Sequence, residues 1–217
     1  LFMIAEALLG AGLVLFGLVG DNASPARAVV MSVHLVNTFC LLGGMALCGW
    51  WATRDEPIDR DHPRKRWLLV GAGLIFAVGV TGAIAALGDT LFPAKSLAEG
   101  IAADLDPTAH FLLRLRMLHP FVAILCAITL WILAARWPSQ PARWVQTLVV
   151  VQVAAGFINL ALLAPGWMQL THLVLADILW VAYLIFGVVS IQISETGVAS
   201  SEPKPQTAHT SEATDAQ

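Results

Sequence analysis

Long apolar runs separated by short polar segments dominate the chain. Six of these runs approach the roughly 20 residues that a helix needs to cross the hydrocarbon core of a bilayer. They cover residues 1–19, 26–52, 67–88, 111–135, 144–164 and 167–194. The pattern therefore predicts an all-α integral membrane protein with six transmembrane helices.

The hairpin predicted for the last two apolar runs resembles the hairpin predicted for the first two. Aligning Glu6 with Gln152 also aligns Gly10 with Gly156, and further along the tetrads VHLV and THLV correspond, each with a histidine in its second position. An imidazole inside an apolar helix is costly unless the ring has a partner. A repeated helix hairpin that keeps its histidine therefore suggests a repeated binding site.

Composition supports the membrane class and narrows the function. Hydrophobic residues make up 58% of the 217 residues and charged residues 12%, whereas soluble domains carry about 25% charged residues. The net charge of −3 provides no basic surface for nucleic acid, so we expect no such partner. Cys40, Cys48 and Cys126 fall inside apolar runs and are expected to be core residues rather than metal or disulfide positions.

The charges in the connecting segments predict the orientation. The segment 53–66 contains five arginine or lysine residues, and Arg136 and Arg143 flank the connection after the fourth run. Positive loops face the cytoplasm, so both are predicted to lie on that side of the cell membrane. The loop 88–108, with four acidic residues against one lysine, is predicted to lie outside. The polar segment 195–217 is predicted to be a disordered cytoplasmic tail, because it has too few apolar residues to fold.

Three histidines are predicted to lie within the membrane: His34, His119 and His172. Each lies five to eight residues into a helix that runs inward from the outer surface, which at about 1.5 Å per residue places all three about 8–12 Å deep. A lone histidine in a membrane more often hydrogen-bonds two helices, and that alternative stays open for each of them. Three imidazoles at one depth, two of them in a repeat, favour a ligand site.

A haem suits facing imidazoles better than zinc does. Zinc would need three or four protein ligands, and no cysteine or carboxylate is predicted at the depth of the histidines. Haem iron needs one imidazole on each face of the ring, which His119 and His172 can supply within a four-helix bundle of the third to sixth runs. Arg114 and Arg116 at the outer end of the fourth run are then candidates to pair with the haem propionates, with snorkelling to the interface as the alternative. His34 has no partner in that bundle.

Other polar residues lie within the predicted spans. Asn37 shares a helix face with His34, and Gln169 shares one with His172, because each pair is three residues apart. Both are candidate hydrogen-bond partners of the rings, and an ordinary interhelical hydrogen bond is the alternative. Asp177 lies about 140° around the helix from His172, so no contact with that ring is expected and no role is predicted for it.

Four segments resemble the haem A synthase family, the CtaA/Cox15 proteins, in the order of their helices and histidines. They are EALLG leading to His34, VTGAIAALGDTLFP at 80–93, RLRMLH ending at His119, and the hairpin from Gln152 to His172. The resemblance covers nearly all of residues 1–195. It implies two pseudo-symmetric four-helix bundles with a histidine on the second and fourth helix of each.

The resemblance also implies a domain organisation. Residues 1–52 would be the second half of the bundle that binds the substrate haem, and 53–66 a basic cytoplasmic loop. Residues 67–194 would form one complete bundle that holds haem b. The chain would then be an N-terminally truncated member without the first two family helices. The reactive carboxylate of the family belongs to that missing part, so no catalytic residue is assigned.

For the histidines, the resemblance implies a function. His119 and His172 would hold haem b, and His34 would be one ligand of the substrate, haem O. The implied reaction oxidises a methyl group of haem O to a formyl group through successive hydroxylations, with haem b passing electrons towards the substrate. The implied partners are a haem O synthase, an unidentified electron donor and membrane lipid, and we also expect that the chain can form a homo-oligomer.

Two other classes of function fit the same residues. A cytochrome b-like membrane protein would bind haem and transfer electrons without oxygen chemistry. A membrane scaffold would use its histidines only to join helices.

Overall fold

The computed structural model describes residues 1–54 and 56–192, and the predicted disordered tail at 195–217 lies outside the described residues. The described residues form α-helices joined by loops, with one isolated β-bridge between Ile58 and Gln192, so the predicted all-α class is confirmed. The helices are α1 (Phe2–Leu15), α2 (Pro25–Trp51), α3 (Lys65–Leu91), α4 (Leu97–Leu105), α5 (Phe111–Arg116), α6 (Leu118–Arg136), α7 (Gln140–Ala161) and α8 (Gly166–Ser190).

Five spans are long and apolar enough to cross a membrane: α2, α3, α5 with α6, α7 and α8. The sixth predicted span, over residues 1–19, corresponds to α1, a shorter apolar helix of 14 residues. It ends at Leu15 because Gly17 and Gly20 follow with φ angles of 63° and 61°, a left-handed conformation that commonly terminates helices.

The predicted span 111–135 contains a break at Met117, which ends α5 and begins α6. Pro120 explains the break. A proline has no N–H to donate, and its ring crowds the carbonyl of the residue four positions earlier, here Arg116. The position of the span was predicted correctly, but the prediction of a single helix without interruption from residue 111 was wrong.

The loop 88–108 holds a helix that the apolar pattern did not predict. Ser96 caps α4 by accepting a hydrogen bond from the backbone N–H of Glu99, while the Glu99 carboxylate accepts one from the N–H of Lys95. This reciprocal arrangement resembles a capping box. Because α4 has only 9 residues, the search for apolar runs of membrane-spanning length did not detect it.

Four spans form a closed bundle, because α3 packs on α6, α6 on α7, α7 on α8 and α8 on α3. The hydroxyl of Tyr183 on α8 donates a 2.8 Å hydrogen bond to the carbonyl of Leu68 on α3. The hairpin α1–α2 joins the bundle through α2, which packs on both α3 and α8. Trp180 fixes this contact by donating from its indole nitrogen to the carbonyl of Phe39 at 2.8 Å.

At the end of the bundle away from the histidines, the loop 53–66 is tied to the end of α8. The N–H of Asp59 donates to the carbonyl of Ile191 at 2.8 Å, and the Arg64 guanidinium donates to the carbonyl of Ser190 at 3.0 Å. The basic loop and the end of α8 therefore lie on the same side.

Candidate functional site

The centre of the candidate site is a pair of facing imidazoles. The rings of His119 on α6 and His172 on α8 have their centres 6.4 Å apart and their planes at 87°. A bond between a metal ion and an imidazole nitrogen is about 2 Å long, and the ring centre lies about 1 Å behind that nitrogen, so two rings on opposite sides of one ion have centres about 6 Å apart. The structure thus brings the predicted pair together at a separation that one metal ion can bridge.

A glycine on the neighbouring helix faces each of these rings. A Cβ atom at Gly82 on α3 would lie 3.1 Å from Cε1 of His119, and one at Gly156 on α7 would lie 3.3 Å from Cε1 of His172. Both separations are tighter than ordinary van der Waals contact, so the absence of a side chain gives the rings their room. Gly156 was found in the repeat, but Gly82 is one of several glycines on α3 and nothing in the sequence distinguished it.

Nitrogen atoms of the two rings have weak or no partners in the described part of the chain. Nδ1 of His172 is buried without a hydrogen bond. Its Nε2 lies 3.3 Å from Nε2 of Gln152, whose amide also donates to the carbonyl of His172 at 3.1 Å. Nδ1 of His119 lies 3.4 Å from the hydroxyl of Thr81. A buried ring nitrogen without a partner is costly in an apolar site, and ligation of a metal ion removes that cost.

The third histidine, His34, faces α1. Its Nδ1 lies 3.4 Å from Oε2 of Glu6, and a Cβ at Gly10 would lie 4.0 Å from its Cε1. The Glu6 carboxylate accepts hydrogen bonds from Asn37 at 2.6 Å and from Thr38 at 2.5 Å. Each of the three histidines therefore has a glycine opposite its ring on the helix that precedes it in the bundle.

The ring partners expected from the sequence, Asn37 and Gln169, are engaged elsewhere. Asn37 donates to Glu6 and to the carbonyl of Phe2, which is the interhelical alternative. Gln169 donates to the carbonyl of Ala164 at 2.6 Å and so closes the turn before α8. The residues near the rings are Glu6 and Gln152, the two positions on which the repeat was aligned. Their equivalent positions in the repeat were the feature of the sequence from which these two ring neighbours could have been predicted.

The two arginines before His119 differ in their surroundings. The Arg116 guanidinium, only 10% exposed, bridges Asp89 on α3 at 2.8 Å and Asp104 on α4 at 2.5 Å, and it also donates to the carbonyl of Gly100. Arg114 is exposed. Arg116 thus joins three helices, whereas Arg114 remains accessible at the same end of the bundle.

No group of three or more histidine, cysteine or acidic side chains in the described ranges could hold a metal ion. His119 and His172 are two candidate ligands at this site, the number that a haem uses. Asp177 lies apart from this site, in an apolar groove between α2, α7 and α8 that includes Leu42 and Trp144.

A known protein family matches most of the chain. Residues 1–184 match the COX15-CtaA family, described as cytochrome oxidase assembly protein. The chain belongs to the COX15-CtaA family. The resemblance read from the histidines and their helices is confirmed over most of the chain.

Two curated proteins from different strains of Thermus thermophilus are similar to this COX15-CtaA family member. Each is named protoheme IX farnesyltransferase and is 40% identical over 201 residues, which is 88% of this chain and 33% of the relative. The chain thus spans about a third of the length of these relatives. No solved structure matches the chain.

Proposed function

We propose that the chain is the haem A synthase-type part of an oxidoreductase that converts a methyl group of haem O to a formyl group, with a haem b held by His119 and His172. The observation that carries this proposal is the pair of imidazoles with ring centres 6.4 Å apart. Membership of the COX15-CtaA family over residues 1–184 supports it.

The residues around the pair fit a haem. His119 and His172 would be the axial ligands, and Gly82 and Gly156 leave room beside the rings because neither has a side chain. The buried Nδ1 of His172 has no other partner among the described residues. When bound, the haem supplies one-electron chemistry. The protein contributes ligation, orientation and an apolar surrounding that keeps water from the iron.

Of the two arginines proposed to meet the haem propionates, Arg114 is the better suited. An arginine has five N–H donors, and Arg116 already uses its guanidinium on Asp89, Asp104 and a backbone carbonyl. Three of the five donors of Arg116 are therefore engaged and its side chain is only 10% exposed, so a propionate has less access to it than to the exposed Arg114. We therefore assign the propionate contact to Arg114. We propose that Arg116 instead holds α4 against the end of the bundle through its ion pair with Asp104.

His34 is proposed as one axial ligand of the substrate, haem O. Its hairpin, α1–α2, repeats the hairpin that carries His172, including the glycine that faces the ring. Residues 1–52 would form half of the substrate-haem bundle, and residues from 67 onward the haem b bundle. No residue of this chain is assigned as the carboxylate expected to act on the substrate.

The relatives' printed name suggests the partner. Protoheme IX farnesyltransferase transfers a farnesyl group to protohaem, and this chain matches only 33% of those proteins. We propose that their prenyl transfer resides in the remaining two thirds, and that this chain works next to a haem O synthase of the same kind. The basic loop 53–66 would face the cytoplasm and the histidine ends of the helices the outer side. The electron donor stays unidentified.

Product analysis tests the proposed reaction. The complete gene is expressed together with a haem O synthase in cells that make protohaem, and the extracted haems are weighed by mass spectrometry. We expect a mass that corresponds to the formyl derivative of haem O, and its loss in the His34→Ala variant. Haem-containing protein without any formyl product would contradict the synthase activity and would favour the electron-carrier alternative.

A further inference from the structure

The carboxylate of Glu6 is an acidic group that lies beside a predicted haem ligand, His34. It comes from α1 and meets three side chains of α2: Nδ1 of His34 at 3.4 Å, the amide of Asn37 at 2.6 Å and the hydroxyl of Thr38 at 2.5 Å. Asn37 and Thr38 donate to different oxygens of the carboxylate. The carboxylate is therefore held from two sides, with Oε2 3.4 Å from Nδ1 of His34, a ring nitrogen that is buried and makes no hydrogen bond in the described part of the chain.

The repeated hairpin carries a neutral group at the same position. Gln152 aligns with Glu6 and lies 3.3 Å from a ring nitrogen of His172 through its amide Nε2. The two hairpins thus share a histidine, a facing glycine and a polar residue beside the ring. They differ in whether that polar residue is a carboxylic acid or an amide, and so in the charge it can bring.

We propose that Glu6 is a positioning residue for the haem bound by His34, and that it gives this haem a lower reduction potential than a neutral glutamine would. The inference rests on the proposed function, because it takes His34 as a ligand of haem iron. Glu6 would act through His34, not by touching the haem.

The physical reason lies in the Nδ1 edge of the ring. Nδ1 lies on the side of Glu6, whose carboxylate is an acceptor 3.4 Å away, so Nε2 at the opposite edge would be the nitrogen available to iron. A carboxylate that accepts the Nδ1–H fixes the tautomer and the ring orientation, and it makes the ligating nitrogen a stronger electron donor. A stronger donor stabilises ferric over ferrous iron, which lowers the reduction potential. An amide with no net charge does this to a smaller extent.

The experiment compares reduction midpoint potentials in two reciprocal variants. The protein expressed from the complete gene is purified in detergent and loaded with protohaem, and the haem whose absorption disappears in His34→Ala is titrated in wild type and Glu6→Gln. The midpoint potential of this haem is expected to shift to a more positive value in Glu6→Gln. Gln152→Glu is the matched control: it is expected to lower the potential of the haem that depends on His172 and to leave the His34-dependent haem unchanged.

A second variant keeps the test decisive if Glu6→Gln misfolds. If Glu6→Gln does not accumulate as a folded protein, Glu6→Asp gives the same decision, because its carboxylate is one methylene shorter and moves away from Nδ1, so the potential is again expected to rise. An unchanged midpoint potential in a folded variant overturns the inference about Glu6 but leaves the proposed function standing. If His34→Ala loses no haem, both the inference and the ligand role of His34 are wrong, while the His172 site is judged separately by the loss of its own signal in His172→Ala.

Discussion

At the scale of single residues, the site depends on glycines as much as on histidines. A Cβ at Gly82 would press on the ring of His119 at 3.1 Å, whereas a Cβ at Gly73 on the same helix would meet no atom within 4 Å. The two positions therefore form a matched pair. One lies against a predicted ligand, and the other faces open space.

We expect Gly82→Val to weaken haem binding by about tenfold or more, because overpacking a close contact costs about 1–3 kcal/mol and displaces the ring. Gly73→Val should bind haem as the wild type does. Titration of the purified protein with protohaem, followed by the Soret absorption, measures both affinities. Equal affinity in Gly82→Val and the wild type would show that the His119 ring does not need the room that Gly82 leaves.

Sequence reasoning selected two histidines whose rings face each other in the structure, but it did not predict the polar residues around them. Depth along the helices was enough to select His119 and His172, because the rise per residue of a helix is fixed. The polar neighbours were sought on the same helix, at Asn37 and Gln169. They lie instead on the preceding helix, at Glu6 and Gln152, since the contact across a helix pair depends on rotation and packing that a single helix does not encode.

At the scale of elements, the charge cluster of Arg116, Asp89 and Asp104 fastens α4 and α3 to α5. Removing the guanidinium leaves two carboxylates near each other without a cation. We expect Arg116→Gln to speed hydrogen exchange of the α4 amides (Leu97–Leu105) by about tenfold, because the helix then opens locally at lower free energy. Exchange measured by mass spectrometry tests this.

Arg114→Gln is the control for the same measurement, because Arg114 is exposed. It should leave exchange in α4 unchanged, although we expect it to weaken haem binding if Arg114 holds a propionate. Equal exchange in both variants would contradict the role given to Arg116.

The hinge between α7 and α8 stores backbone strain. Leu163 and Ala164 adopt φ angles of 61° and 52°, a left-handed conformation that costs a residue with a side chain about 1–2 kcal/mol. Ala164→Gly should therefore raise the thermal unfolding midpoint in detergent. Ala154→Gly, within α7, should lower it, because glycine costs up to about 1 kcal/mol in a helix interior. A lower midpoint for Ala164→Gly would count against this strain.

The apolar runs predicted the positions of the long helices well, but they did not predict where a helix is interrupted. The run 67–88 became α3 and the run 167–194 became α8 with only small changes at their ends. The break before Pro120 was readable from the rule on proline, yet the continuous apolar composition concealed it. The short helix α4 depends on its cap at Ser96 and on the contact of Asp104 with Arg116, and the second of these is visible only in three dimensions.

At the scale of the whole molecule, α2 connects the α1–α2 hairpin to the closed bundle. It carries His34 towards α1 on one side, and on the other it packs against α3 and α8 of the closed bundle. The stacked rings of Phe39 and Trp180, with centres 6.2 Å apart, lie in this contact. The internal repeat predicted both hairpins, but the way in which the first hairpin attaches to the bundle could not be derived from the repeat alone.

The central claim is that one haem binds between His119 and His172, and the reduced-minus-oxidised absorption spectrum tests it most directly. The wild-type protein, purified from haem-replete cells, is predicted to show the spectrum of a low-spin b-type haem. His119→Ala and His172→Ala are each predicted to lose that spectrum, while Ala154→Gly, at an exposed position on α7, keeps it. A colourless wild type, or an unchanged low-spin spectrum in His172→Ala, would contradict the claim.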